Sequence, residues 1–264
     1  MEPLLPELTL AQRGAFLFGM MLLRYLLFAG GTFLVFYLWK RRAWVRMRIQ
    51  PRFPDAAQYR REIVWSMSTL VIFALVGLLT FLLGRAGYTQ LYLRIGDRSI
   101  GWLIISTFLL ILLHDTWFYW MHRFLHLPGV FSIAHRTHHR SITPSPWAAF
   151  AFHPLEAVLE AAIVPIGVFL IPLHPLAIGL FLLWMILFNV LGHLGYELFP
   201  KGFTRHPLGR WSNTSTHHDM HHRFTHCNYG LYFNFWDWLM GTNHKRYHEY
   251  FEQVAARRDA APES

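Results

Sequence analysis

The histidines of this chain are spaced for metal binding. Three stretches stand out: His122-Arg-Phe-Leu-His126, His135-Arg-Thr-His138-His139 and His217-His218-Asp-Met-His221-His222. On a helix, positions i, i+3 and i+4 share one face, so each H-x-x-H-H presents three imidazoles within about one turn. His122 and His126, four apart, present two. His193, in Asn189-Val-Leu-Gly-His193-Leu-Gly-Tyr-Glu197, adds a ninth candidate at the end of an apolar run. Imidazole suits zinc, copper, iron and nickel, so ligand type leaves the metal open. The count is more informative, because His122, His126, His135, His138, His139, His193, His218, His221 and His222 outnumber the four ligands of one tetrahedral zinc or the two axial ligands of a haem. Two adjacent metal ions, each with an open position, fit that number.

Other residues are candidates to support such a centre. Asn189, one turn before His193, could reach a metal directly or through a water. His114 and Asp115 interrupt an apolar run, where ionisable side chains are costly and mark function. His114 lies two turns, roughly 12 Å, before His122 and cannot easily share its metal, so it is expected to orient a ring or face substrate. His153 and His217 are candidates as additional ligands or orienting groups. A ligating imidazole has its other ring nitrogen held by a carboxylate or carbonyl, and Asp115, Glu156, Glu197, Asp219 and Asp237 are placed for that work, though spacing assigns none to a particular ring. Phe118, Tyr119, Trp147, Phe150, Tyr232, Phe233 and Trp236 could line a substrate path or serve as packing and an interfacial belt.

The elements that must position these residues are membrane spans. With 54% hydrophobic and 15% charged residues among 264, the chain is more apolar than a soluble domain, which runs near 25% charged. Apolar runs long enough to span cover about residues 15–39, 63–83 and 100–120, and a hairpin of 155–173 and 175–193 is broken at Pro172, His174 and Pro175. This predicts an all-α integral membrane bundle of four to five helices. The basic stretch from Lys40 to Arg48 marks the cytoplasmic side, and counting spans from it brings both histidine regions to that same side. The net charge of +9 comes from bases clustered beside apolar runs, which is juxtamembrane anchoring and not a nucleic-acid face. The single cysteine, Cys227, excludes an intrachain disulfide, a thiolate zinc finger and a cysteine-ligated iron-sulfur cluster. Without a basic n-region before it, the first apolar stretch is expected to stay as an anchor. The chain divides into anchor helices over 1–99, a catalytic region over 100–247 and a polar tail over 248–264 within one structural domain, and the tail is expected to fray from residue 252.

Over residues 100 to 247 the chain resembles the sterol desaturase and fatty acid hydroxylase superfamily of membrane di-iron enzymes, nearest its sterol desaturase branch. The resemblance rests on His114-Asp-Thr-Trp-Phe-Tyr-Trp-Met-His122-Arg-Phe-Leu-His126, His135-Arg-Thr-His138-His139-Arg-Ser, Phe152-His153-Pro-Leu-Glu156 and His217-His218-Asp-Met-His221-His222. The tail Asn228-Tyr-Gly230 and Trp236-Asp-Trp-Leu-Met-Gly241-Thr242 adds to it. It implies a transmembrane bundle with a cytoplasmic helical cap holding a histidine-rich di-metal site. It also implies two iron ions as cofactor, dioxygen as co-substrate, and a lipid, sterol-like or fatty acyl, as substrate. By position, the nine histidines named above match its metal-binding set, with His193 where the hydroxylase branch supplies further ligands. The chain departs from that branch at Asn189, which stands where H-x-x-x-H would place its first histidine. No segment remains for the fused haem domain that fatty acid hydroxylases often carry, so electrons are expected from a separate ferredoxin- or haem-type donor. The compact chain points to a bacterial inner membrane before an endoplasmic reticulum and leaves the oligomeric state open.

Such chemistry explains the abundance of neutral ligands. Hydrogen abstraction from an unactivated carbon followed by hydroxyl return gives an alcohol, and a second abstraction from the neighbouring carbon gives a double bond, so substrate placement separates hydroxylase from desaturase. The alternatives are a membrane zinc hydrolase, a metal transporter and a haem electron carrier. The first lacks its usual H-E-x-x-H helix. The second should place ionisable ligands near mid-bilayer, and the third single histidines on two spans. Here the clusters lie beyond the span ends.

Overall fold

The computed structural model describes residues 8–259. Its elements are α1 (Leu10–Trp39), α2 (Ala56–Arg85), α3 (Ile100–Leu125), α4 (Arg136–His139), α5 (Pro154–Ala161), α6 (Ile163–Leu170), α7 (Pro175–Gly192), α8 (Ser215–Phe224), α9 (Phe235–Leu239) and α10 (Tyr247–Asp259). Helices α1, α2, α3 and α7 are long and apolar enough to cross a membrane, and the protein is a multi-pass membrane protein. Their outward faces are apolar, with Leu27, Leu75 and Ile104 exposed, while polar residues such as Ser66 and Thr69 of α2 and Ser106 of α3 turn inward. That inside-out arrangement is what a lipid solvent selects.

Start signals lie where chemistry puts them. Thr9, Asp55, Ser99 and Thr214 each accept a hydrogen bond from a backbone N–H in the first turn of α1, α2, α3 and α8. Pro154 and Pro175 open α5 and α7 at the position where a missing N–H costs nothing. The expected span over 155–173 is instead two eight-residue helices, α5 and α6. Pro165, three residues into α6, withdraws an N–H from the ladder at that break.

Two ends of the bundle are defined by contacts. At one end Gln90 N–H and Tyr92 N–H donate to the carbonyls of Val168 and Leu173, so the turn after α6 meets the loop after α2. At the other, Ile49 N–H donates to Gly195 O and Glu197 N–H to Met47 O, pinning the basic stretch beside the end of α7. Both histidine regions gather at this second end. Arg48 is buried there, donating to the Tyr37 hydroxyl and lying over the Tyr37, Phe53 and Tyr196 rings.

The segment expected to fray is helical through Asp259, and residues 260–264 lie outside the described residues. Tyr247, Phe251, Val254 and Ala255 form its buried stripe, and Tyr247, Phe251 and Ala255 cluster with Met220 of α8. The polar tail is therefore an amphipathic helix bracing the histidine helix.

Candidate metal centre

The centre is assembled from the ends of helices. His122 ends α3, and His126 caps it. His135 closes a widened turn, Phe131–His135, that leads into α4 with His138 and His139. His193 caps α7, and α8 carries His218, His221 and His222. These nine converge into two groups. His122, His126, His135, His139 and His221 form one, and His138, His193, His218 and His222 the other, with the potential ligand atoms of each group within 4.8 Å of one another.

The two H-x-x-H-H segments exchange members. His135 and His139 enter the five-membered group while His138 enters the four-membered one, and on α8 His218 and His222 enter the four-membered group while His221 enters the five-membered one. Helix geometry explains this. Residues i and i+4 differ by about 40° around the axis, whereas i+3 falls about 60° to the other side. Each segment therefore keeps its outer pair together and sends its middle histidine to the neighbouring group.

Four of the nine rings are held by the nitrogen facing away from the groups, whereas Nδ1 of His138, His139, His218 and His222 is buried without a hydrogen-bond partner. His122 Nδ1 donates to Tyr229 O, His193 Nδ1 to Asn189 O and His221 Nδ1 to Cys227 O, each near 2.7–2.8 Å. His135 Nδ1 donates to Glu156 Oε1 at 2.7 Å. A carbonyl can only accept, so His122, His193 and His221 carry their proton on Nδ1 and a lone pair on Nε2, and His135 does the same toward the carboxylate form of Glu156. Yet His122 Nε2 lies 3.1 Å from His135 Nε2. Bare lone pairs at that distance repel, and a cation between them removes the conflict. The buried Nε2 of His126 likewise has no hydrogen-bond partner. The donor set therefore fits two metal ions, five imidazoles toward one and four toward the other.

Burial sets the protonation state. It lowers His139 to about 3 and His193 to about 4, and it pushes His135, His138, His218, His221 and His222 well below the ordinary imidazole range, helped by the neighbouring rings. His126 is lowered for the same reasons. All are neutral near pH 7, the form that binds metal.

The remaining candidates sit nearby in other roles. Glu156 is the one acid among the five that touches a ring of either group. Asp115 accepts from the Tyr232 and Phe233 N–H groups, Glu197 from Phe199 and Thr216, and Asp237 from Tyr229 and Gly230. Asp219 receives the Gln50 amide. These four hold loops and helix ends, Asp237 also standing 3.6 Å from His217 Nε2, while backbone carbonyls hold the rings of His122, His193 and His221. Asn189 offers His193 its carbonyl. His153 caps α5, accepting from Leu155 N–H, and stands outside both groups. His217 donates to Asn243 Oδ1, and His114 pairs with the Tyr232 hydroxyl at 2.7 Å.

Aromatic rings wall the site. Phe118 packs on His122, Phe152 on His138, and Phe131 on His126 and His139. Tyr229 covers His122, His126 and His221. Tyr119 stacks on Trp236, while Trp147 and Phe150 pack around Tyr25. Phe131, Phe152, Tyr229 and the Cys227 carbonyl were not anticipated from spacing. The turn that delivers Cys227 and Tyr229 depends on Thr225 and Asn228 in the left-handed region, φ 61° and 58°. Asn228 tolerates that backbone and donates from its side chain to His217 O. On the bundle's flank, an apolar groove of about 440 Å³ between α3 and α9 has Asp115, Phe233 and Trp236 in its lining.

A fatty acid hydroxylase family model matches residues 107–242. The chain is 33% identical over 198 residues to a Delta(7)-sterol 5(6)-desaturase of Gibberella zeae, covering 75% of this chain and 59% of that protein. It is 35% identical over 188 residues to the lathosterol oxidase of Mus musculus and 32% identical over 187 residues to that of Homo sapiens, covering in each case 70% of this chain and 61% of the relative. The chain thus spans about 60% of the length of these relatives. No solved structure matches it.

Proposed function

This chain belongs to the fatty acid hydroxylase family, and from that premise we propose that it is a membrane oxidoreductase that oxidises a C–H bond of a lipid with dioxygen and external electrons. The observation that carries the reading is the convergence of nine neutral imidazoles, all buried except the half-buried His126, into groups of five and four. In this reading His122, His126, His135, His139 and His221 hold one iron, and His138, His193, His218 and His222 the other. Two irons so held supply the reduction of dioxygen and the removal of hydrogen from an unactivated carbon.

The protein's own groups prepare the site. Burial keeps every imidazole available as a neutral donor. The carbonyls of Tyr229, Asn189 and Cys227, with Glu156, fix ring orientation by holding Nδ1–H, so little reorganisation accompanies metal binding. Phe118, Phe131, Phe152 and Tyr229 exclude water, which protects a strong oxidant from side reactions. Sterol desaturases and lathosterol oxidases among the relatives favour a sterol-class lipid. Hydroxylation and desaturation then differ by which neighbouring hydrogen the bound lipid presents.

Charge supports a separate, acidic electron donor of the ferredoxin or haem type. Arg136, Arg140 and Arg223 are exposed, and each is one residue from a buried histidine. A donor docked on them would approach the cage closely. The bases at the histidine end, beginning with Lys40, Arg41 and Arg42, outnumber Arg85, Arg94 and Arg98 at the far end, which favours a cytoplasmic site. The fungal and mammalian relatives lend no weight to a bacterial inner membrane.

The test is metal analysis and Mössbauer spectroscopy of detergent-purified protein grown on enriched iron, beside His138→Ala and His221→Ala. About two irons per chain, reduced in both variants, is the expected outcome. A single zinc, or iron held only as haem, would overturn the reading.

A further inference from the structure

A second polar cluster lies inside the bundle, apart from the histidine cage, and several of its hydrogen-bond donors lack partners. Its centre is Tyr232, fully buried, with its hydroxyl 2.7 Å from His114 Nδ1. The Trp184 ring packs against Tyr232 at 6.0 Å between centroids. Arg24, from the middle of α1, stands close enough for its charge to act on the same hydroxyl. Arg24 Nε and Nη2, Trp184 Nε1 and His114 Nε2 are all buried without a hydrogen bond. Glu160 Oε2 approaches His114 Nε2 only to 4.0 Å.

Buried polar atoms are rarely left unpaired, and a guanidinium facing a bundle interior within a span marks a functional place by default. The nitrogens of Arg24 and Trp184 can only donate. With the Tyr232 hydroxyl donating to His114 Nδ1, His114 orients that hydroxyl, and its own Nε2–H faces Glu160. The cluster therefore presents donors to an oxygen that the protein itself does not supply. Because the Tyr232 hydroxyl gives its proton to His114, its oxygen is left to accept, so a lipid hydroxyl, which can both accept from Arg24 or Trp184 and donate to Tyr232, suits the place better than a carboxylate, which only accepts. Phe188 packs on Tyr232 at 5.4 Å, and Phe188 and Leu231 also line a small cavity beside His218 of the four-histidine group.

We propose that Arg24, His114, Trp184 and Tyr232 receive the hydroxyl end of the lipid substrate, leaving its hydrocarbon body to run past Phe188 and Leu231 to the histidine cage. This deepens the lipid-oxidising reading and rests on it. Arg24 and Trp184 are specificity residues here: they touch the far end of the lipid and not the reacting carbon.

The experiment is equilibrium binding to iron-loaded protein under anaerobic conditions, where no turnover occurs. The probes are tritiated lathosterol against the same sterol lacking its hydroxyl, and 1-octadecanol against octadecane. Wild type should prefer the hydroxylated member of at least one pair by roughly tenfold or more, the size expected when a hydrogen bond to a charged donor is lost. Arg24→Met and Trp184→Phe should each shrink that preference toward unity while leaving affinity for the hydroxyl-free probe unchanged. Equal affinity of the wild type for both members of both pairs would overturn the proposal, as would variants that weaken both members alike, which is the mark of a packing role. Iron content and oxygen uptake are read on the same samples. Loss of those would sink the oxidase reading, whereas a hydroxyl preference with no iron chemistry would still establish the site.

Discussion

His138 and His139 are neighbours in the chain but belong to different groups, so replacing each with alanine should empty different metal sites. The four-histidine group loses a quarter of its donors in His138→Ala, and the five-histidine group a fifth in His139→Ala. A four-ligand metal site contributes about 10–16 kcal/mol, or about 3 kcal/mol per ligand when spread evenly, which is more than a hundredfold in affinity. The same reasoning over five ligands gives about 2–3 kcal/mol, a loss of tens- to hundredfold. Purified under a weak chelator, His138→Ala should therefore keep about one iron per chain, and His139→Ala should retain more of its weakened ion. Mössbauer spectra separate the two, because five-imidazole and four-imidazole ions have different coordination and give distinct quadrupole doublets. His138→Ala should erase one doublet and His139→Ala diminish the other. If both variants deplete the same doublet, or both doublets equally, the division into five and four is wrong.

Three further outcomes follow from particular contacts. Glu156 holds His135 Nδ1–H, so Glu156→Ala should weaken iron binding about 10- to 100-fold, with Glu156→Gln milder because an acceptor oxygen remains, as read by chelator competition. A Cβ on Gly192 would lie 3.2 Å from His218 Cδ2, tighter than ordinary contact, so Gly192→Ala should displace His218 and lower occupancy of the four-histidine doublet selectively. Phe251 is fully buried between α10 and α8, so Phe251→Ala should cost about 3–5 kcal/mol, visible as a lowered midpoint of thermal unfolding in detergent. An unchanged midpoint would return the C-terminal segment to a loose tail.

The parts of this protein legible in its sequence are those governed by local period. Spans show as apolar runs of bilayer length, and the histidine segments show because helical spacing puts their rings together whatever the rest of the chain does. Shared-face spacing does not by itself predict the division of the centre: the structure keeps each outer i, i+4 pair together and sends the i+3 member, His138 or His221, to the opposite group. The α10 stripe of Tyr247, Phe251, Val254 and Ala255 was equally periodic, yet its surrounding charges kept mean hydropathy low and made it read as a tail.

What local period does not carry is the identity of the groups behind the rings. Every residue owns a carbonyl, so nothing in composition distinguishes Tyr229, Asn189 or Cys227 as acceptors. They become acceptors only because left-handed residues at Thr225 and Asn228 turn the chain back, and because His193 folds onto its own helix end. Carboxylates were the obvious candidates, and the chain does bury Asp115, Glu156, Glu197, Asp219 and Asp237 around the site, but mostly against backbone N–H groups. That use of acids has an electrostatic consequence. With those acids buried and Arg136, Arg140 and Arg223 exposed, the charge presented beside the cage is basic. Neutral imidazoles in both groups and exposed arginines beside them follow from one arrangement: the buried carboxylates hold the scaffold, and among these five acids Glu156 alone reaches a ring of either group.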